Sequence, residues 1–313
     1  MATTQIVISL VKLFLMIIPG LLLSKAGALN EQQSKGISSV VVNVTWPCLI
    51  VMSLQREFSR ELVVNMGILA LLLIANMIVA FLLARLACRA LKMDRAKTYL
   101  MTFMLIVGNT GFMGIPVCNA LYGAEGTFYA ALIDSIFDIF IFTGGMIMIE
   151  KSTGKHIGLS PKHFLTPGFI SILVGLALFV ARISLPEIIS GPMDVIGSAT
   201  GPLAMMIVGF QLGKLRLRDF AGDLPMYVLC VCKLLVLPLI FLIVVRLLFP
   251  DMPLLAKVLA VELATPVGVV STIYTQQYDG DVQFATRGVM LSTVLSLLTL
   301  TLFAIAAEMI SAL

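Results

Sequence analysis

Residues 108–116 read GNTGFMGIP (Gly108–Pro116), inside a stretch from Tyr99 to Tyr122 that is otherwise apolar enough to cross a membrane. Three glycines, an Asn-Thr pair and a proline do not build a continuous helix. A glycine inside a helix costs about 1 kcal/mol relative to alanine, and an interior proline about 3 kcal/mol. At membrane depth, the N–H and C=O groups released by such a break need protein, water or a ligand as partners. Discontinuous helices of this kind commonly line the binding sites of secondary transporters, whereas a tolerated kink is the plainer alternative. A second interruption, near the far end of the chain, favours the first reading.

The chain has 313 residues, 59% hydrophobic and only 12% charged. Soluble domains carry about 25% charged residues. The apolar residues fall in long runs, which specifies an all-α polytopic membrane protein embedded in a lipid bilayer. Ten spans are predicted at approximately 5–24, 36–54, 62–84, 98–122, 126–149, 167–185, 190–212, 224–249, 254–277 and 284–312. The first is expected to be retained rather than cleaved, since no positive region precedes it. The polar stretch Lys151–Thr166 divides the chain into residues 1–150, a linker 151–166 and residues 167–313. His156 and His163 fall in that linker and are expected to be solvated. The cysteines (Cys48, Cys88, Cys118, Cys230, Cys232) sit in or beside apolar runs without ligand spacing, so no metal or other cofactor is expected.

Basic residues set the orientation. Fourteen of the Lys and Arg residues lie in the loops after spans 1, 3, 5, 7 and 9, and five in the loops after spans 2, 4, 6 and 8. The positive-inside rule makes the first group cytoplasmic and places both termini outside the plasma membrane. The net charge of +4 is thereby explained without a nucleic-acid partner. Asn43-Val44-Thr45 matches a glycosylation sequon, but it lies within a span and is expected to be inert.

The two halves superpose in sequence at a nearly constant offset. Gly20 matches Gly175 and Pro47 matches Pro202, both 155 residues apart, and Tyr122 matches Tyr278 at 156. Each tyrosine opens an acidic turn, YGAEG and YDGD. Asn109 then corresponds to Thr265, so the breaks in spans 4 and 9 coincide. An odd number of spans per half inverts the second half in the membrane, giving two inverted five-helix repeats with broken crossover helices. Pro116 has no proline counterpart, since Thr272 stands there. Pro116 is expected in the first turn of its half-helix, and Thr265-Pro266 as an N-cap followed by a first helical proline.

GNTGFMGIP followed by a Tyr-Gly turn resembles the auxin efflux carrier family, which includes plant auxin exporters and bacterial malonate or malate permeases. Glu262–Val269 (ELATPVGV), with YDGD after it, stands where that family has its second crossover. The short central linker is closer to the bacterial members. The resemblance implies a scaffold of spans 1, 2, 6 and 7, a transport domain of spans 3–5 and 8–10 that moves in elevator fashion, and a homodimer. It also implies a small organic anion, such as a carboxylate, as substrate.

Candidate substrate-binding residues are Asn109, Thr110, Gly111, Pro116, Thr265 and Pro266, because half-helix N-termini offer free N–H groups and a positive dipole end to an anion. The short polar side chains could instead cap their own backbone. Four charges lie well inside spans: Asp134, Asp138, Lys233 and Glu262. Each costs ~2.5–3.5 kcal/mol near the bilayer centre on insertion scales. Their repeat counterparts, Met290, Val294, Ile78 and Ile106, are apolar, so the shared architecture does not require the charges. Glu262, one turn before Thr265, is the first candidate for coupling proton uptake to the substrate, with Asp138 second or as a sodium ligand. Lys233 could equally extend to the cytoplasmic interface, and Asp134 and Asp138 could be a helix contact. On the scaffold side stand Asn43, Thr45, Pro47, Thr200 and Pro202. A channel or ligand sensor of the same fold is the alternative function. An intramembrane aspartyl protease is disfavoured because Asp279 and Asp281 sit together at one span end.

Overall fold

The computed structural model describes residues 3–156, 166–214 and 223–311, so His163 and most of the central linker lie outside it. Among the described residues the chain is helical throughout, with one isolated β-bridge and no strand. In order, the helices are α1 (Thr3–Leu15), α2 (Ile17–Lys25), α3 (Glu31–Val40), α4 (Trp46–Ser53), α5 (Arg60–Ala90), α6 (Arg95–Ile106), α7 (Ile115–Phe140) and α8 (Met146–Thr153). The later ones are α9 (Pro167–Ala181), α10 (Glu187–Ser198), α11 (Thr200–Gly213), α12 (Leu224–Val231), α13 (Leu237–Leu248), α14 (Pro253–Leu263), α15 (Val270–Gln277) and α16 (Val282–Ser311). Five-residue π-helical turns join α3 to α4, α7 to α8 and α12 to α13, and a fourth, Thr110–Gly114, leads into α7. Such turns widen a helix locally and recur at functional sites. Here they carry Thr45, Thr110, Gly111 and Lys233.

Seven helical stretches among the described residues are long and apolar enough to cross a membrane: Thr4–Lys25, Glu31–Ser53, Arg60–Ala90, Thr110–Thr153, Glu187–Gly213, Leu224–Leu248 and Val282–Ile310. The remaining expected spans are short or interrupted. Helix α9 has 15 residues, and its N-terminus is capped by Thr166, whose side chain accepts from the Phe169 N–H, with Pro167 at the first position. The stretch Thr110–Thr153 has 44 residues, about twice what a bilayer requires. It bends at Gly123, where φ 62° and ψ −151° are open to glycine but not to a residue with a Cβ. Helices α14 and α15, with 11 and eight residues, are too short to cross alone.

The chain gathers into two compact units. The first draws on Met1–Leu69, Gly111–Ser135 and Phe164–Lys214, the second on Ala70–Thr110, Ile136–His163 and Leu215–Leu313. In the first unit α2 packs on α11, and α4 on α9 and α10, through glycines that bring backbones together. A Cβ at Gly20 would lie 2.0 Å from the Met206 carbonyl oxygen, one at Gly209 2.0 Å from that of Ile17, and one at Gly175 2.4 Å from a Leu54 methyl. Small residues at such crossings are how helices associate in lipid, where apolar burial alone drives nothing. In the second unit α6 packs on α8, α14 lies against α13 and α16, and α12 against α16. Phe103, Met101, Leu100, Val258 and Leu259 fill its buried core.

Candidate functional site

Within the second unit both breaks open where a helix runs out. Helix α6 ends at Ile106 and Val107 turns extended, with φ −84° and ψ 114°. Helix α14 ends at Leu263. The two extended pieces then pair with each other as an antiparallel bridge centred on Gly108 and Val267. Asn109 N donates to the Pro266 carbonyl at 2.8 Å, and Gly268 N donates to the Val107 carbonyl at 3.0 Å. The glycines are there because the backbones almost touch. A Cβ at Gly108 would stand 2.5 Å from Thr265 Oγ1, and one at Gly268 2.8 Å from the Gly108 carbonyl oxygen.

The other backbone groups freed by the breaks find side chains. Val267 N donates to Ser292 Oγ at 3.0 Å, and that hydroxyl donates to the Val289 carbonyl of α16. Lys233 Nζ donates to the Ile106 carbonyl at 3.3 Å. Thr265 Oγ1 donates to the Glu262 carbonyl at 2.6 Å. The expected N-cap role of Thr265 is therefore corrected: its hydroxyl closes the first half-helix instead of opening the second. The physical reason is the extended run Pro266–Gly268, which engages in the bridge and delays the second half-helix until Val270. Pro116 does not stand in the first turn either: helical structure already begins at Thr110, and the wide turn Thr110–Gly114 carries the chain into α7 ahead of the proline.

Lys233, Glu262, Thr265, Asn109 and Thr110 are all buried, Glu262 and Thr265 fully. The alternative that Lys233 extends to an interface is overturned, since the residue is 1% exposed and its Nζ is bonded at the end of α6. It lies within electrostatic reach of the Glu262 carboxyl and 3.2 Å from where a Gly108 Cβ would be. The structure thus brings Asn109, Thr265, Pro266, Glu262 and Lys233 to one crossing. Asp134 and Asp138 lie one turn apart on α7, in the first and second units respectively; Asp134 is buried, Asp138 half-buried and close enough to Tyr274 to interact electrostatically.

Within the first unit, Thr200 Oγ1 donates to Thr45 Oγ1 at 3.0 Å, both hydroxyls buried. Pro47 and Pro202 follow at the second position after each threonine. Asn43 turns its amide to the Ser39 carbonyl at 2.7 Å, a local bond on an exposed face. Gly111 lies against Trp46, whose ring a Cβ there would meet at 2.1 Å, and Phe112 stacks on the same ring with centroids 6.1 Å apart. Trp46 Nε1 is buried without a hydrogen-bond partner among the described residues. Sequence reasoning passed over Trp46 and Ser292. The first is the one tryptophan, beside Pro47, and the second forms a polar row with Ser296 one turn on in an apolar helix. Both signals were legible in the residue pattern.

A family model described as membrane transport protein matches residues 5–158 and again 157–304. An uncharacterized transporter of Methanothermobacter thermautotrophicus is 27% identical over 310 residues, covering 97% of this chain and 98% of that protein. An uncharacterized transporter of Methanocaldococcus jannaschii is 24% identical over 285 residues, covering 88% of this chain and 91% of that protein.

Proposed function

Because this chain belongs to the membrane transport protein family that includes the auxin efflux carriers, we propose that it is a secondary transporter of a small organic anion, a mono- or dicarboxylate or an auxin-like acid. The observation that carries the reading is the bridge between the two breaks. Val107 faces Gly268, Gly108 faces Val267 and Asn109 faces Pro266. The facing residues lie 161, 159 and 157 positions apart, so the pairing approaches the offset of 156 toward its Asn109 and Pro266 end. The Thr45–Thr200 bond joins two residues 155 apart in the same way. In this reading the chain has ten spans in two inverted halves.

Asn109, Thr110, Gly111, Pro116, Thr265 and Pro266 form the substrate site in this reading. Half-helices begin just beyond the bridge, at Thr110–Gly114 with α7 and at α15, and their N-termini favour an anion. Spans 1, 2, 6 and 7 serve as scaffold and dimer contact, and spans 3–5 and 8–10 as the moving domain of an elevator. The first unit's helices α1–α4 and α9–α11, close-packed through glycine, support the scaffold assignment. Glu262, buried at the crossing, is the coupling residue for protons, with Asp138 as the second choice or a sodium ligand.

Counterflow in proteoliposomes tests the carrier. Preloaded carboxylate should accelerate uptake of labelled carboxylate, and Asn109→Ala and Thr265→Val should weaken that exchange far more than equal truncations at Met113 or Val269. Flux without exchange acceleration points to a channel. Equal behaviour of all four variants moves the site away from the breaks.

A further inference from the structure

At one end of the second unit, α5 stops and α6 begins within four residues, and this turn is crowded with cations. Arg85, Arg89, Lys92 and Arg95 line a cavity of about 470 Å³ together with Cys88, Met93, Thr98 and Tyr99. Among the described residues no carboxylate lines it. Among the described residues none of the four forms an ion pair, whereas Lys97 pairs with Asp281, Lys155 with Asp279, Arg287 with Asp223 and Lys257 with Glu308. The acid nearest in sequence, Asp94, does not line the cavity but caps α6 by accepting the Lys97 N–H at 2.8 Å, within electrostatic reach of Cys88.

Charge at this end of a span serves membrane topology, but a topological signal requires only charge near the surface. Three features go beyond it. The cations converge on one concavity. Two of them are held by aromatic rings, the Arg85 guanidinium 5.4 Å from the Phe81 centroid and that of Arg95 5.8 Å from Tyr99. The Lys151 ammonium stands 5.4 Å from the same Tyr99 ring, adding a further positive charge beside the cavity. Third, Lys92 occupies a left-handed backbone conformation, φ 52°, at the close of α5, where Met93 N reaches back to the Cys88 carbonyl at 3.0 Å. Glycine is the usual residue at that position because any Cβ is strained there. A lysine in a strained backbone position beside three arginines, with Asp94 as the one nearby acid among the residues of the turn, has the composition of an anion site.

We propose that this cavity binds a phosphate group, carried by the headgroup of an acidic phospholipid or by a soluble phosphate compound. Guanidinium forks match phosphate oxygens in geometry, and a multiply charged anion is what so many converging cations recognise. Basic pockets at helix ends on the membrane surface take lipid headgroups by the same chemistry.

The experiment uses the full-length protein in neutral detergent. Its apparent unfolding temperature is followed against phosphatidylglycerol in mixed micelles, phosphatidylcholine as control, and inorganic pyrophosphate at constant ionic strength. A saturable rise with phosphatidylglycerol assigns the site to lipid, and one with pyrophosphate alone to a soluble ligand. In either case Lys92→Gly should raise the ligand-free unfolding temperature by relieving the backbone, while weakening binding about fivefold. Arg85→Gln/Arg89→Gln/Arg95→Gln should weaken it more than about a hundredfold. If that triple variant does not fold, Lys92→Gly alone decides. The proposal is overturned if neither anion shifts the protein, or if Lys92→Gly leaves the affinity unchanged and the lysine is merely a helix cap.

Discussion

Replacing Gly108 by alanine adds one methyl where the two breaks cross. The new carbon would stand 2.5 Å from Thr265 Oγ1, nearly 1 Å inside ordinary contact. Neither partner can yield freely. The Gly108 backbone is flanked by bonds of 2.8 and 3.0 Å to Pro266 and Gly268, and Thr265 Oγ1 is tied to the Glu262 carbonyl at 2.6 Å. Overpacking of this kind costs about 1–3 kcal/mol, and displacing the hydroxyl forfeits a bond of about 0.5–1.5 kcal/mol. Gly108→Ala should therefore destabilise by about 2–4 kcal/mol. Thr265→Ala removes the obstructing atom and by itself loses about 1 kcal/mol with the hydrogen bond. The double variant should then be more stable than Gly108→Ala alone, a favourable coupling of at least about 1 kcal/mol. The assay is the apparent unfolding temperature of all four proteins at one scan rate. Gly67→Ala is the control, because a Cβ at that exposed helical position meets nothing within 4 Å and should stabilise slightly. The crossing as described is refuted if Gly108→Ala behaves like Gly67→Ala, or if the double variant loses the sum of the singles.

Other expectations follow from single contacts. Thr45→Val should cost about 1–3 kcal/mol by stranding the buried Thr200 hydroxyl, whereas Thr45→Val/Thr200→Val should be nearly neutral in thermal unfolding. Lys233→Met should cost about 1–3 kcal/mol in thermal unfolding, because the Ile106 carbonyl at the end of α6 loses its buried donor. In proteoliposomes, Glu262→Gln should preserve substrate exchange and abolish pH-driven accumulation; unchanged accumulation would transfer the coupling role to Asp138. A cysteine placed in the Lys151–Thr166 linker should be shielded from an impermeant external thiol reagent, while one added after Leu313 should label, and the reverse pattern would invert the orientation.

The residue order alone determined that this is a helical membrane protein and where its helices break, and it proposed which halves correspond. Those are local properties: a run of apolar residues, a Gly-Asn-Thr-Gly or Thr-Pro interruption, and an offset that recurs. Thr45 and Thr200 were named as candidates and their neighbouring prolines matched at an offset of 155, but the bond between the two hydroxyls came only from the folded chain. What the breaks do with their freed backbone was not legible. Asn109 and Pro266 are far apart in the chain, and only the folded topology sets one N–H against the other carbonyl. Thr265 had the local signature of an N-cap, yet pairing with the first break held Pro266–Gly268 extended and turned the hydroxyl back onto Glu262. Lys233 carried no sequence signal separating an interfacial lysine from a buried one, since its stem reaches either way until the end of α6 supplies the Ile106 carbonyl. Ser292 became part of the crossing only because α16 passes beside Val267. Periodicity and spacing report the helix a residue belongs to, and tertiary packing decides which distant backbone group it meets.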